Sequence, residues 1–308
     1  MLRKILIIVT LVGVLAAAGA ALGCGAGGGT SNRGERPRVV ATTMPLQDFA
    51  RQVGGDRVEV VGLLDAESEP HDYEPTPSDA DAVAGARVVV ANGAGLDAWL
   101  DDLLAQAGAD AVHVEATRGI RLLPTEERDL PGDPHAWHDP ERAGRMVDNI
   151  AAGLVRADPA GRAAYRRNAD AYKARLDRMA ADIRRSFAAV PEDRRVLVTS
   201  HDAFGSFARA YDVEIVGSVL PTVSGEAEPS ARQVHRLIEE VRSRDVRTVF
   251  TEKGVAPRLE QRIAEEAGAR VSAVLYADSL GPPGSPTSTF IGAEVANARA
   301  MRAAWRRR

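Results

Sequence analysis

Eight short runs rich in Val, Ile and Thr alternate with Ala- and Leu-rich stretches, and this alternation constrains the fold more than any other feature of the chain. The runs fall at residues 38–42, 58–63, 88–92 and 111–114, then at 196–200, 213–216, 248–251 and 271–275. Strands alternating with helices predict an α/β fold, with parallel sheets covered by helices. Two sets of four predict two small parallel-sheet α/β domains, at residues 38–158 and 191–308.

Between the two sets, residues 158–190 carry no strand signal. Tyr165, Ala169, Tyr172, Leu176, Met179, Ile183 and Phe187 recur every three or four positions, which places them on one helix face, with Arg, Asp and Lys elsewhere. Pro159 suits a helix start and Pro191 a stop. About 30 residues at 1.5 Å each reach roughly 45 Å, enough to cross both domains. The same spacing suits a coiled-coil seam, but about three heptads is a minimal one. The reading adopted is one linking helix, 159–190, packed on both domains.

The N-terminus reads as an export segment. Met1-Leu2-Arg3-Lys4 is a basic head, residues 5–21 are an apolar run, and small residues lead to Cys24, the only cysteine. Ala21-Leu22-Gly23-Cys24 resembles the bacterial lipobox, whose Cys becomes the lipidated N-terminus after cleavage, although Leu is usual where Ala21 stands. The expected organisation is a signal peptide at 1–23, lipidation at Cys24 and a Gly-rich flexible tether at 24–37 of roughly 20 Å reach. The mature protein is then exported and lipid-anchored at the outer face of the cell membrane, or periplasmic. A single Cys excludes an internal disulfide, a Cys-based zinc site and a CxxC pair. Acidic residues outnumber basic ones, 43 to 39, and the leader's only charges are Arg3 and Lys4. The mature chain is therefore more acidic still, which argues against nucleic acid as a partner. No Gly-x-x-x-x-Gly-Lys-[Ser/Thr] loop is present, so ATP hydrolysis belongs to another protein.

Six histidines are available for chemistry, and their surroundings separate them. His71 lies in a Pro-stiffened loop after the second strand. His135 lies in Asp133-Pro134-His135-Ala136-Trp137-His138-Asp139-Pro140, where Asp139 can cap a helix that begins with Pro140. His201 directly follows the fifth strand, and Asp278 lies just past the eighth. These four positions fall at or beyond the carboxyl ends of strands, where open α/β sheets bind ligands. Two come from each half, so a cleft between facing domains would bring them together, and three imidazoles with one carboxylate suit a divalent metal. His113 reads as an ordinary sheet or edge residue and His235 as a solvated helix residue. His138, three residues from His135, could face the site, but a supporting or surface role is favoured.

The segments Pro70-His71-Asp72-Tyr73-Glu74, Asp133-Pro134-His135-Ala136-Trp137, Ser200-His201-Asp202-Ala203-Phe204-Gly205 and Asp278-Ser279-Leu280-Gly281 resemble, in order and spacing, the metal-site motifs of one family. It comprises the zinc/manganese substrate-binding lipoproteins of ABC transporters, the ZnuA/TroA-like solute-binding proteins of cluster A-I. The resemblance runs from about Arg38 to Trp305. It implies two α/β domains joined by one long helix, with the metal in the interdomain cleft. It also implies His71, His135, His201 and Asp278 as ligands, and zinc as the bound metal with manganese as the alternative. The implied partners are an ABC permease and its separate ATPase subunit, and a monomer is expected. The chain departs from the family pattern at His138, where an apolar residue is common, and it lacks the His-rich loop of some zinc members.

Two other functions compete. A zinc hydrolase would keep one metal position for water, whereas four protein ligands fill a tetrahedron. His135-x-x-His138-Asp139 also differs from the His-x-His-x-Asp of the metallo-β-lactamases. An adhesin role would be additional to metal binding. The chain is therefore expected not to be an enzyme.

Overall fold

Four parallel strands form the N-terminal sheet in the order β2-β1-β3-β4: β1 (Arg38–Ala41), β2 (Glu59–Gly62), β3 (Val88–Ala91) and β4 (Val112–Glu115). The structure is a computed structural model that describes residues 36–66, 68–125, 127–220, 222, 228–254 and 257–306. The export segment and Cys24 lie outside the described residues, as does all of the tether except Arg36 and Pro37. β3 is Val-Val-Val-Ala, buried throughout, as a strand covered on both faces requires. The edge strands β2 and β4 are only partly buried. Helices α1 (Met44–Gly54), α2 (Pro77–Ala84), α3 (Trp99–Ala107) and α4 (Pro140–Ala157) cover this sheet.

Local chemistry sets the helix starts. Thr76 and Asp79 close a capping box on α2, with Pro77 in the first turn. Asp139 Oδ1 accepts from the backbone N–H groups of Glu141 and Arg142 at the head of α4, with Pro140 first. α4 packs closely on β4: a Cβ at Gly153 would lie 2.1 Å from a Val114 methyl, so the contact requires glycine.

The linking segment opens with a short 3₁₀ turn, Pro159–Gly161, and continues as α5 (Arg162–Phe187), 26 residues without a break. All seven residues on the face read from the sequence are buried. Near its start α5 meets α1, where Asn168 donates to the Val53 carbonyl. At its far end Phe187 stacks edge-on against Trp305. The largest core cluster runs along α5 and takes in residues of both halves, and the chain from Arg36 onward forms one compact unit.

The C-terminal half contains β5 (Val196–Thr199), α6 (Gly205–Tyr211), β6 (Glu214–Ser218), α7 (Ala231–Ser243), β7 (Thr248–Glu252), α8 (Arg258–Ala267), β8 (Arg270–Leu275) and α9 (Phe290–Trp305). All eight strands read from the sequence are present within two residues at either end. The second set, however, does not form one continuous ladder. It forms two parallel pairs, β5–β6 and β7–β8, with β5 alongside β7. Each pair carries a register irregularity, between Leu197 and Val198 and between Val249 and Thr251. Such breaks disrupt the hydrogen-bond ladder locally. Among the described residues no helix is long and apolar enough to cross a membrane.

Candidate metal centre

Each of the four predicted residues is presented by a loop beyond a strand, and each loop is held by bonds of its own. The Pro70 carbonyl accepts from Trp99 Nε1 at 3.2 Å, which ties the His71 loop to α3. The His135 loop is anchored by Asn92 Nδ2, which donates to the Pro134 carbonyl at 3.2 Å. It is anchored again by Trp137 Nε1, which donates to the Ala277 carbonyl at 3.2 Å. His201 follows β5, where Glu252 Oε1 accepts from the backbone N–H groups of Ser200 (2.8 Å) and His201 (3.2 Å). Asp278 follows β8, and Asn297 of α9 fixes this strand end by bonding both the N–H and the carbonyl of Tyr276 at 2.8 Å.

These loops bring one donor atom each from His71, His135, His201 and Asp278 within 4.8 Å of one another. His71 Nε2 lies 3.2 Å from His135 Nε2. Asp278 Oδ1 lies 3.3 Å from His135 Nε2, and its Oδ2 lies 3.1 Å from His201 Nε2. Four donors at 2.0–2.1 Å from a zinc ion sit about 3.3 Å apart, so these spacings suit a tetrahedral shell. His201 Nε2 and Asp278 Oδ1 are buried without a hydrogen-bond partner. Buried polar atoms are rarely left unpaired, and an ion at the common centre would satisfy both. A cavity of about 710 Å³, lined by Arg121, Arg145 and Lys173 among others, contains none of the four.

The far nitrogens of two of the rings meet carboxylates. His135 Nδ1 lies 2.8 Å from Asp133 Oδ1, and His201 Nδ1 lies 2.5 Å from Glu252 Oε2. A carboxylate on Nδ1 fixes the tautomer, points Nε2 at the ion and raises the ring's basicity. Sequence reasoning did not assign these two carboxylates to the site. Asp133 was visible two residues before His135. Glu252 closes the apolar strand β7 at the same sheet edge, and an acid at that point is the signal that would have marked it.

The charges follow from this arrangement. Burial and the neighbouring His135 push the His71 imidazole down to about 3. Burial opposes charge on His135 too, but Asp278 and Asp133 outweigh it and raise the ring to about 9. For His201 burial is outweighed by Glu252 and Asp278, and its value lies well above the ordinary one. Asp278 resists burial in turn, held well below the usual carboxylate range by His135 and His201. Without an ion, protons on His135 and His201 supply the positive charge at the centre.

The remaining histidines lie outside the group. His113 is exposed on the edge strand β4, and His235 is exposed on α7. His138 is neither a member of the group nor a surface residue: it is 1 % exposed and bonded through Nδ1 to Glu294.

Known proteins resemble this chain in sequence and in overall fold. The family model described as "ZnuA: Zinc-uptake complex component A periplasmic" matches residues 39–304. The chain is 34% identical over 272 residues to the manganese-binding lipoprotein MntA of Halalkalibacterium halodurans, covering 88% of this chain and 89% of that one. It is 32% identical over 263 residues to the iron-binding protein YfeA of Yersinia pestis, covering 85% and 84%. Among solved structures, the periplasmic zinc-binding protein TroA of Treponema pallidum superposes with a TM-score of 0.83 at 26% identity, covering 89% of this chain and all of that one.

Proposed function

The chain belongs to the ZnuA family, described as the periplasmic component A of zinc-uptake complexes, and from that premise we propose that it captures zinc outside the cytoplasm and delivers it to an ABC permease. It is a metal-binding substrate-binding protein of an ABC transporter, not an enzyme. Its partners are therefore a permease and a separate ATPase. The observation that carries the reading is the convergence of one donor atom each from His71, His135, His201 and Asp278 within 4.8 Å of one another. These residues are the proposed ligands, and residues 38–158 and 191–308 are the proposed lobes, joined by the helix at 159–190.

Zinc is placed first because three imidazole nitrogens and one carboxylate form a borderline donor set, whereas manganese favours oxygen-rich shells. Manganese is the second reading. It is supported by the likeness to a manganese-binding lipoprotein and by Asp278, whose two oxygens each face an imidazole, an arrangement open to a larger coordination number. Metal analysis of the purified protein, with competition between zinc and manganese, tests the reading. About one ion per chain is expected, with loss of binding in His71→Ala. A wild-type chain that retains no divalent metal would overturn it.

Anchoring follows from the leader. Diacylation of Cys24 would hold the protein at the membrane, since one acyl chain binds only marginally and two bind stably. Intact-mass measurement of the native protein checks this, and an unlipidated mature chain would contradict it.

A further inference from the structure

His138 lies among three of the four segments that supply the donors. It is three residues after His135. Its ring stacks on Phe204, three residues after His201, with centroids 4.8 Å apart and planes 24° from parallel. Its Nδ1 lies 2.8 Å from Oε1 of Glu294, on α9, one turn before the Asn297 that fixes the strand end leading to Asp278. His138 and Glu294 are each 1 % exposed. Their second polar atoms, His138 Nε2 and Glu294 Oε2, are buried without a partner.

Packing alone does not account for such a pair. Two apolar residues of similar volume would fill the space at no desolvation cost, and replacing buried polar pairs in this way is often stabilising. A buried hydrogen bond supplies what apolar packing lacks, a fixed distance and direction between two elements. Here the elements are the turn that carries His135 and the helix that braces the Asp278 loop.

The geometry points to His138 as a positioning residue that holds the His135, His201 and Asp278 segments together through Glu294 and Phe204, and thereby sets how fast the metal leaves. The inference rests on the metal-receptor reading above. Release requires donors to part, and donors on joined segments part only together. Entry is a different step, because His71, which with Asp278 is one of the two partly exposed donors, belongs to none of the joined segments. Loss of the join therefore speeds release and leaves association unchanged.

Stopped-flow measurement of zinc association, and of zinc release into excess chelator, tests this on the full chain. In His138→Phe/Glu294→Leu the ring and the volume stay while the polar pair is removed, with no charge left alone. Release is expected about tenfold faster, with an unchanged association rate. Glu294→Gln keeps an acceptor for Nδ1 and is expected to release zinc at the wild-type rate. Should the double variant fail to fold, Phe204→Leu breaks the link to the His201 segment alone and carries the same expectation of faster release. Wild-type release from the folded double variant, or from Phe204→Leu in its place, overturns the inference, as does a change confined to association. A wild-type chain that binds neither zinc nor manganese overturns the metal-receptor reading and this inference with it.

Discussion

Asp133 accepts two hydrogen bonds from one residue: its Oδ1 lies 2.9 Å from the backbone nitrogen of His135 and 2.8 Å from the ring Nδ1. The first bond fixes the loop and the second fixes the ring, so Nε2 is aimed before any ion arrives. Glu252 does the same for His201. Asp133→Asn and Glu252→Gln preserve shape but weaken the hold on Nδ1–H. Each is expected to lower zinc affinity by about 10- to 100-fold while leaving the fold intact, as measured by calorimetry alongside circular dichroism. Unchanged affinity in both would contradict a role for these carboxylates.

With His135 and His201 as the proposed ligands, metal binding is expected to displace protons from these two raised imidazoles, whereas His71 is pushed down to about 3. Calorimetry at pH 7 in buffers of different ionisation enthalpy is expected to show release of about two protons per ion. Affinity is expected to rise with pH through the range around 9 in which His135 loses its proton. The metal-free protein shows the opposite trend. The folded His135 value exceeds its unfolded one, so the associated stability is complete below about 6.5 and is lost as pH rises through about 9. Melting temperature in chelator should therefore fall across that window. Zinc affinity that stays flat between pH 6 and 9 would count against the imidazole shell.

A carboxylate in place of His201 would give the proposed donor set a second acidic ligand and make it richer in oxygen. His201→Glu is expected to narrow the zinc-over-manganese affinity ratio by about tenfold or more, read by competition calorimetry. A ratio unchanged in that variant, together with loss of binding in His71→Ala, would show that selection lies elsewhere.

α5 is unbroken over 26 residues, with neither Pro nor Gly inside it. Tyr172 at its middle donates to Asp48 Oδ2, which also accepts the N–H of Phe290 at the head of α9. Long helices bend sharply only at Pro, Gly or a bulge, so metal release is expected to move loops rather than to swing the halves apart. Small-angle scattering of metal-free and loaded protein should give the same radius of gyration, about 19 Å for a compact chain of this size. A difference equivalent to a domain rotation of tens of degrees would contradict this.

Much of the molecule was determined at the level of sequence, because its signals are local. The alternation of β-branched runs with helical stretches marked all eight strands. The three-and-four spacing from Tyr165 to Phe187 marked the buried face of α5, since side-chain direction along a helix depends only on position in the chain. The order of the motifs around His71, His135, His201 and Asp278 named the residues that come together.

Tertiary structure decided what depends on distance through space. Glu252 is 51 residues from His201 and Glu294 is 156 from His138, and no pattern in the chain pairs them. The second strand set forms two pairs rather than one ladder, a matter of how strands meet in space that composition does not record. The protonation of the centre was also beyond the sequence. His71, His135 and His201 are the same side chain, yet one is pushed down to about 3 and another up to about 9. The difference arises from which carboxylates the fold places beside each ring once water has been excluded.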